Sequence, residues 1–412
     1  MKHYKMAAAM RVCGSSMIAA VLGIASQAVA KPLQVYILAG QSNMQGHARI
    51  STFEHIGMDP ATKPMLEEMI GKDGKPKVCE RVWISSIGCA GNDTQEQTGK
   101  LTAGFGAATD KIGPEFTFGL YMRKFTDAPI LLIKTSWGGK SLHTDFRPPG
   151  AGPYVFSEEQ RAAFQKKGKP ILELAAEKEK ETGVYYRLMV EHVKKVLGDI
   201  KRVVPDYDAA QGYELAGFAW FQGWNDLVDG GTYPQRDKPG GYDAYSSAMA
   251  HFIRDVRRDL NAPKLPFVIG VLGVGGPTSL YGPAEQRYKS THQNFRDAMA
   301  APVKLPEFQG NVAAVLAEKY WDLELSNAKE KEGDLKQRAK KLATDGRMTP
   351  ADEKVMLEKL LKEGLSERER TIIEKGISNL GFHYLGSAKI LGGVGKGLAE
   401  AMADLKHFKH NP

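Results

Sequence analysis

The sequence is poor in cysteine: three occur among 412 residues, Cys13, Cys79 and Cys89. That excludes a small scaffold stapled by disulfides. Neither Cys79 nor Cys89 has the histidine or cysteine neighbours of a zinc site, and no carboxylate–histidine set shows metal-ligand spacing, so no metal is expected. Long apolar runs are scarce as well. The stretch Met17–Ile24 falls short of the ~20 residues that a span requires, and no later stretch reaches that length. An excess of one charge is also missing: 56 basic residues face 48 acidic ones, for a net charge of +8. No nucleic-acid motif accompanies the lysines, and the run Lys166-Lys167-Gly168-Lys169 reads as a solvated helix end.

What is present at the N-terminus reads as a secretory signal. Lys2, Lys5 and Arg11 precede the apolar stretch, and Ala28-Val29-Ala30 supplies a small-x-small site, so cleavage is expected after Ala30. A secreted or periplasmic protein follows, with no integral membrane span once the signal is gone. The signal holds three bases and no acid, so the remaining chain carries about 8 − 3 = +5. In an oxidising compartment Cys79 and Cys89 either pair or stay as two separate buried thiols.

Beyond residue 30, short apolar runs alternate with longer amphipathic ones, the pattern of an α/β layer fold. The expected strands are Gln34–Ala39, Val82–Ser86, Ile130–Lys134, Gly217–Phe221, Pro266–Val271 and Val312–Leu316. Most are continuously apolar, as buried parallel strands are. Helical stretches fall at Tyr185–Val196 and Tyr242–Leu260; in the latter Tyr245, Met249, Phe252, Val256 and Leu260 form a core stripe. One domain over 31–412 is expected, with charged helical insertions at about 156–181 and 323–378. In the second, Thr349-Pro350-Ala351-Asp352 and Ser366-Glu367-Arg368-Glu369 read as helix starts of a hairpin. Gly392-Gly393-Val394-Gly395-Lys396-Gly397 imitates a phosphate loop, but it follows no strand and lies inside an expected helix, so no nucleotide is expected.

In open parallel sheets function gathers after the strands, and the candidate motifs lie there. The first strand runs into Gly40-Gln41-Ser42-Asn43-Met44-Gln45-Gly46. Glycines on both sides permit a tight turn that presents a serine hydroxyl, which needs a base before it can attack. The third strand leads to Trp137-Gly138-Gly139-Lys140-Ser141-Leu142, and the fourth to Gln222-Gly223-Trp224-Asn225-Asp226. His383 precedes the last expected helix, Ala388–Met402.

These four blocks, with Gly113-Pro114-Glu115-Phe116 before the third strand, resemble the SGNH hydrolases, in particular the sialate O-acetylesterase-like branch that includes carbohydrate esterase family six. The resemblance runs from about residue 33 to 405, insertions apart. It implies a three-layer α/β/α sandwich of the flavodoxin-like type with a parallel sheet. It implies hydrolysis of acetyl esters on carbohydrates without a cofactor, on sialic acid, xylan or another glycan. Ser42 would be the nucleophile and His383 its base. The oxyanion would be held by the N–H groups of Ser42 and Gly139 and by a side-chain amide. Relatives in the branch carry Gln-Gly-Glu where this chain has Gln-Gly-Trp-Asn-Asp, so either Gln222 or Asn225 fits that last role. The acid expected three residues before the histidine is replaced by Leu380. Asp322 is the first substitute, with Asp226, Asn379 or a Ser–His dyad as alternatives. The missing acid also leaves room for a non-catalytic carbohydrate-binding protein on the same fold. Trp137 and Trp224 are candidates for stacking on a sugar, and His143 and Arg147 for bonding its hydroxyls.

Overall fold

The computed structural model describes Met1 and residues 31–346 and 348–408, so the expected signal and its cleavage site lie outside the described residues. Seven strands form one sheet: β1 (Leu33–Gly40), β2 (Val82–Ile87), β3 (Glu96–Lys100), β4 (Ile130–Ser136), β5 (Tyr213–Phe221), β6 (Phe267–Val271) and β7 (Val312–Leu316). Their order is β3-β2-β4-β1-β5-β6-β7. All six apolar runs read as strands are parallel neighbours; β3 was not anticipated and pairs antiparallel with β2 at the edge. Its sequence, Glu-Gln-Thr-Gly-Lys, is polar because an edge strand covers no core. The central strand β1 is buried at every position, as a parallel strand sheathed on both faces must be.

Helices cover both faces. Pro114–Phe125 and Ala388–Leu405 pack together on one; Val184–Gly198, Asp243–Asp259 and Lys289–Ala300 lie on the other. The glycines of 392–397 are contact points inside the last helix: a Cβ on Gly395 would come 2.2 Å from the carbonyl oxygen of Pro114, and one on Gly397 1.9 Å from the hydroxyl of Tyr320. They let the last helix approach Pro114 and Tyr320 closely.

The segment after β7 forms three helices, Leu323–Asp345, Pro350–Gly364 and Glu367–Gly376, rather than a two-helix hairpin. Thr349 and Ser366 each close a capping box, as their sequences suggest. The helix Glu367–Gly376 packs on Phe53–Gly57, and the chain then re-enters the carboxyl edge of the sheet at residues 378–386. Cys79 and Cys89 are separate buried thiols, and burial pushes that of Cys79 up to about 12. Among the described residues no helix is long and apolar enough to cross a membrane.

Candidate active site

The carboxyl ends of β1, β4 and β5 and the 378–386 loop meet at one edge of the sheet, and Ser42 stands at their centre. It opens a one-turn helix, Ser42–Gln45, directly after β1. Gly46 closes that turn at φ +91°, where a Cβ would land 2.0 Å from Gly113 Cα, so only glycine lets the two loops touch. A buried ion pair holds the turn from below. Lys134 Nζ donates to Glu115 Oε2 at 2.8 Å, to the Gln45 carbonyl at 2.8 Å and to the Phe105 carbonyl at 2.7 Å. Glu115 Oε1 accepts from Gly113 N–H at 2.9 Å. Neither side chain is exposed, and the lysine's three protons all find acceptors, as burial of a charge demands.

Gln41 links this turn to the block after β5. Its Oε1 accepts from the backbone N–H groups of Gly223 and Asn225, at 3.0 and 3.4 Å. Because those donors are backbone, the other end of the amide must be its NH2. That group donates to Asn225 Oδ1 at 3.0 Å and reaches Ser42 Oγ at 3.5 Å. The orientation of Asn225 follows in turn: with its oxygen bound to Gln41, its own NH2 points elsewhere and is left to donate. Gln222, the alternative donor, is committed. Its NH2 serves the Lys140 carbonyl at 3.0 Å and Asp226 Oδ2 at 2.6 Å, and its oxygen accepts from Tyr245. Asp226 is likewise spent, accepting from Leu142 N–H, His143 N–H, Gln222 and the Tyr233 hydroxyl.

His383 lies in a tightly wound loop. Tyr384 and Leu385 follow it at φ +54° and +59°, left-handed conformations that cost a bulky residue about 1–2 kcal/mol each. The surroundings enforce them: the Leu385 carbonyl accepts from Ser378 and Asn379 N–H, and the buried Tyr384 hydroxyl accepts from Gly273 N–H at the end of β6. Asn379 Oδ1 accepts from Leu380 N–H at 2.7 Å and lies 3.1 Å from His383 Nδ1. A backbone donor again fixes the amide, so Nδ1 of His383 carries the proton and Nε2 is the basic atom. The Asn379 NH2 points to His47 Nδ1 at 3.5 Å, and the His47 ring lies flat on His383, centroids 4.0 Å apart. Burial, then the charge of Lys111, lowers His383 to about 4; burial, then His383, lowers His47 to about 3. His383 is therefore a neutral imidazole throughout the physiological range.

Asp322 does not supply the acid. It caps the helix Leu323–Asp345, accepting from Leu325 N–H, and its Oδ2 pairs with Lys389 at 2.7 Å and faces His55 Nε2 at 3.7 Å. The insertion carries the chain away before returning it to His383, so proximity in sequence order did not translate into contact. The amide of Asn379 stands where the acid was sought. Residue 379 could have been preferred from sequence only by knowing that residues 378–386 close into a loop.

Three candidate sugar contacts are structural. Trp137 is 1% exposed, and its indole N–H donates to the Asp93 carbonyl at 2.8 Å. His143 is buried with Nε2 3.0 Å from Asp229 and Nδ1 2.7 Å from the Thr144 hydroxyl. Arg147 donates to the carbonyls of His143, Ala151 and Gly152 and so ties its own loop. Trp224 is half-buried, stacked on Phe382 at 5.7 Å beside His383. Gly139 is exposed at φ +74° with open space around it, while Gly138 is the glycine against Ser42: its Cβ would lie 3.9 Å from Ser42 Cβ.

A second serine–histidine contact has the wrong polarity. Ser85 Oγ lies 2.9 Å from His192 Nε2, but the hydroxyl donates to Glu96 at 2.6 Å, so the histidine donates to it rather than accepting its proton. Ser85 is wholly buried.

A family profile described as "Carbohydrate esterase, sialic acid-specific acetylesterase" matches residues 32–320, most of the chain. The match holds Ser42, Gly138 and Asn225 and stops before Asn379 and His383. Among solved structures, a protein from Arabidopsis thaliana is 18% identical, with a TM-score of 0.37, over 69% of this chain and 86% of its own. A novel carbohydrate acetylesterase from Xanthomonas citri is 14% identical, with a TM-score of 0.36, over 68% of this chain and 49% of its own. NanS is 14% identical, with a TM-score of 0.34, over 70% of this chain and 78% of its own. No curated protein matches the chain.

Proposed function

We propose, from the premise that this chain belongs to the family of sialic acid-specific acetylesterases among the carbohydrate esterases and is a carboxylic ester hydrolase, that it removes acetyl groups from carbohydrates through an acyl-enzyme on Ser42. Ser42 Oγ attacks the acetyl carbonyl while its proton passes to His383 Nε2. The tetrahedral oxyanion takes hydrogen bonds from the N–H groups of Ser42 and of the Gly138-Gly139 turn, whose Gly138 lies against Ser42, and from Asn225 Nδ2. Collapse expels the sugar oxygen, which takes the proton from His383. Water, deprotonated by the same nitrogen, then releases acetate and restores the serine.

One observation carries this reading: Asn379 holds His383 as the tautomer whose Nε2 can accept a proton, at the edge of the sheet where Ser42 stands. Ser42 and His383 make no direct hydrogen bond; such contacts often tighten only once substrate is bound. An asparagine behind the histidine orients it without stabilising the imidazolium as a carboxylate would, so the acid limb of the reaction lies low. The N-terminal basic, apolar and small-x-small succession supports action outside the cytoplasm.

The test is acetate release from an acetylated glycoside by wild type and Ser42→Ala. The variant should lose at least ~10³-fold in kcat, and a fluorophosphonate should label the wild type alone. Equal release by both proteins would overturn the mechanism; no release and no labelling in either would favour a carbohydrate-binding protein.

A further inference from the structure

The turn that carries Ser42 and the loop that carries His383 are joined at His47. Gly46 ends the turn, and the chain passes through His47 into Ala48–Arg49, which pairs with Lys111–Ile112. Ser378 fastens this short strand to the 378–386 loop: its hydroxyl accepts from Arg49 N–H at 3.1 Å and donates to the Gly386 carbonyl at 2.7 Å. The His47 ring is thereby laid on the His383 ring, with centroids 4.0 Å apart and planes 3° from parallel.

Proton transfer from Ser42 Oγ to Nε2 of His383 leaves an imidazolium with a proton on each nitrogen. In a triad a carboxylate offsets that charge. Here the partner of Nδ1 is the neutral Asn379 amide, and among the described residues no carboxylate pairs with His383. Burial and the charge of Lys111 both oppose the cation. The group that lies flat against it is His47. That ring stays neutral: burial, then His383, Lys111 and Lys134, lower it to about 3, and two positive rings in face contact would repel. With Nδ1 accepting from the Asn379 NH2 at 3.5 Å, the proton of His47 is on Nε2. A neutral aromatic face attracts a cation placed over it, and does so more strongly where water is excluded.

We propose that His47 is a positioning residue for the reaction: its ring face holds His383 in place and stabilises the imidazolium formed as Ser42 attacks, the part that the acid plays in a triad. The inference rests on the acetylesterase reading and adds a residue to its mechanism. His47 acts on the ester only through His383.

Two variants separate the ring face from the hydrogen bond. His47→Phe keeps the face and removes the acceptor for Asn379, whereas His47→Gln keeps an amide oxygen as acceptor and removes the face. Both are close to histidine in size, and kcat counted per fluorophosphonate-reactive serine is independent of the folded fraction. On an O-acetylated methyl glycoside, His47→Phe should stay within ~3-fold of wild type in kcat. His47→Gln should lose ~10-fold in kcat with KM within about twofold. Full kcat in His47→Gln, a loss in His47→Phe as large as in His47→Gln, or a loss confined to KM would overturn the role of the ring face and leave the esterase reading intact. No acetate release by wild type would sink that reading, and the inference with it.

Discussion

The two halves of the candidate site are built in different ways. The nucleophile half is a local device: one strand, one glycine-flanked turn, and a buried Lys134–Glu115 pair beneath it. The base half is a long-range device. His383 arrives after three inserted helices and is held by an asparagine, a stacked histidine and two left-handed residues anchored to β6. A turn between neighbouring elements needs only the right residues in order. A loop that returns from an excursion needs contacts that no short motif encodes. Each half also fixes one amide by a backbone donor, Gln41 through Gly223 and Asn379 through Leu380, and each amide then dictates the polarity of a neighbour, Asn225 or His383.

The comparison can be broken at Asn225, which the nucleophile half orients. Asn225→Ala should cost ~10²–10³-fold in kcat with KM little changed, as the loss of one oxyanion donor does. A change in KM alone would move Asn225 from the oxyanion to ground-state binding. The base half should respond more gently. Asn379→Ala should lower kcat ~10–100-fold, because the ring loses its orientation and not its basic nitrogen. Asn379→Asp sharpens the point. Wild-type kcat/KM should show its acid limb near pH 4, where His383 takes up a proton; a carboxylate beside Nδ1 favours the imidazolium and should move the limb upward. An unmoved limb in that variant would show that another group controls it.

The sign of the stability effect follows from the same shifts. His383 and His47 are held below the ordinary value of 6.5, so between that pH and about 4 the unfolded chain binds protons that the folded chain does not. Their contribution is full above 6.5 and is lost as the pH falls through the window. Tm measured from pH 7 to 4 should therefore drop, and drop less in His47→Phe. The smallest effect on activity per folded molecule is expected at Lys134. Lys134→Met leaves Glu115 buried without its partner and should destabilise the fold by about 3–5 kcal/mol, seen in denaturant melts. Lys134→Met with Glu115→Gln should recover part of that loss. A double variant no more stable than the single one would mean that the lysine acts through Gln45 rather than through the pair.

Much of the fold was legible because burial on both faces of a parallel sheet leaves unbroken apolar runs, and all six such runs are strands. β3 escaped because a polar edge strand carries no such mark. The place of Ser42 was readable for a related reason: it lies two residues after β1, so position in the sequence is position at the sheet edge, whereas Gln222 and Asn225 stayed alternatives. Trp137 misled because an aromatic in a functional block looks the same whether it faces a sugar or the Phe146 and Tyr185 rings. Asp322 misled because an acid after a strand is equally suited to cap the helix that follows, and here it does.

By itself the sequence determined the six parallel strands, the turn that carries Ser42 and the presence of a histidine before the last helix, because strand periodicity and tight turns are local properties of the chain. The tertiary structure alone decided which group stands behind that histidine, which nitrogen is basic and which glycine faces Ser42. Those depend on where a 378–386 loop comes to rest after an insertion of three helices. That resting place is set by burial of Tyr384 and by backbone donors from distant elements.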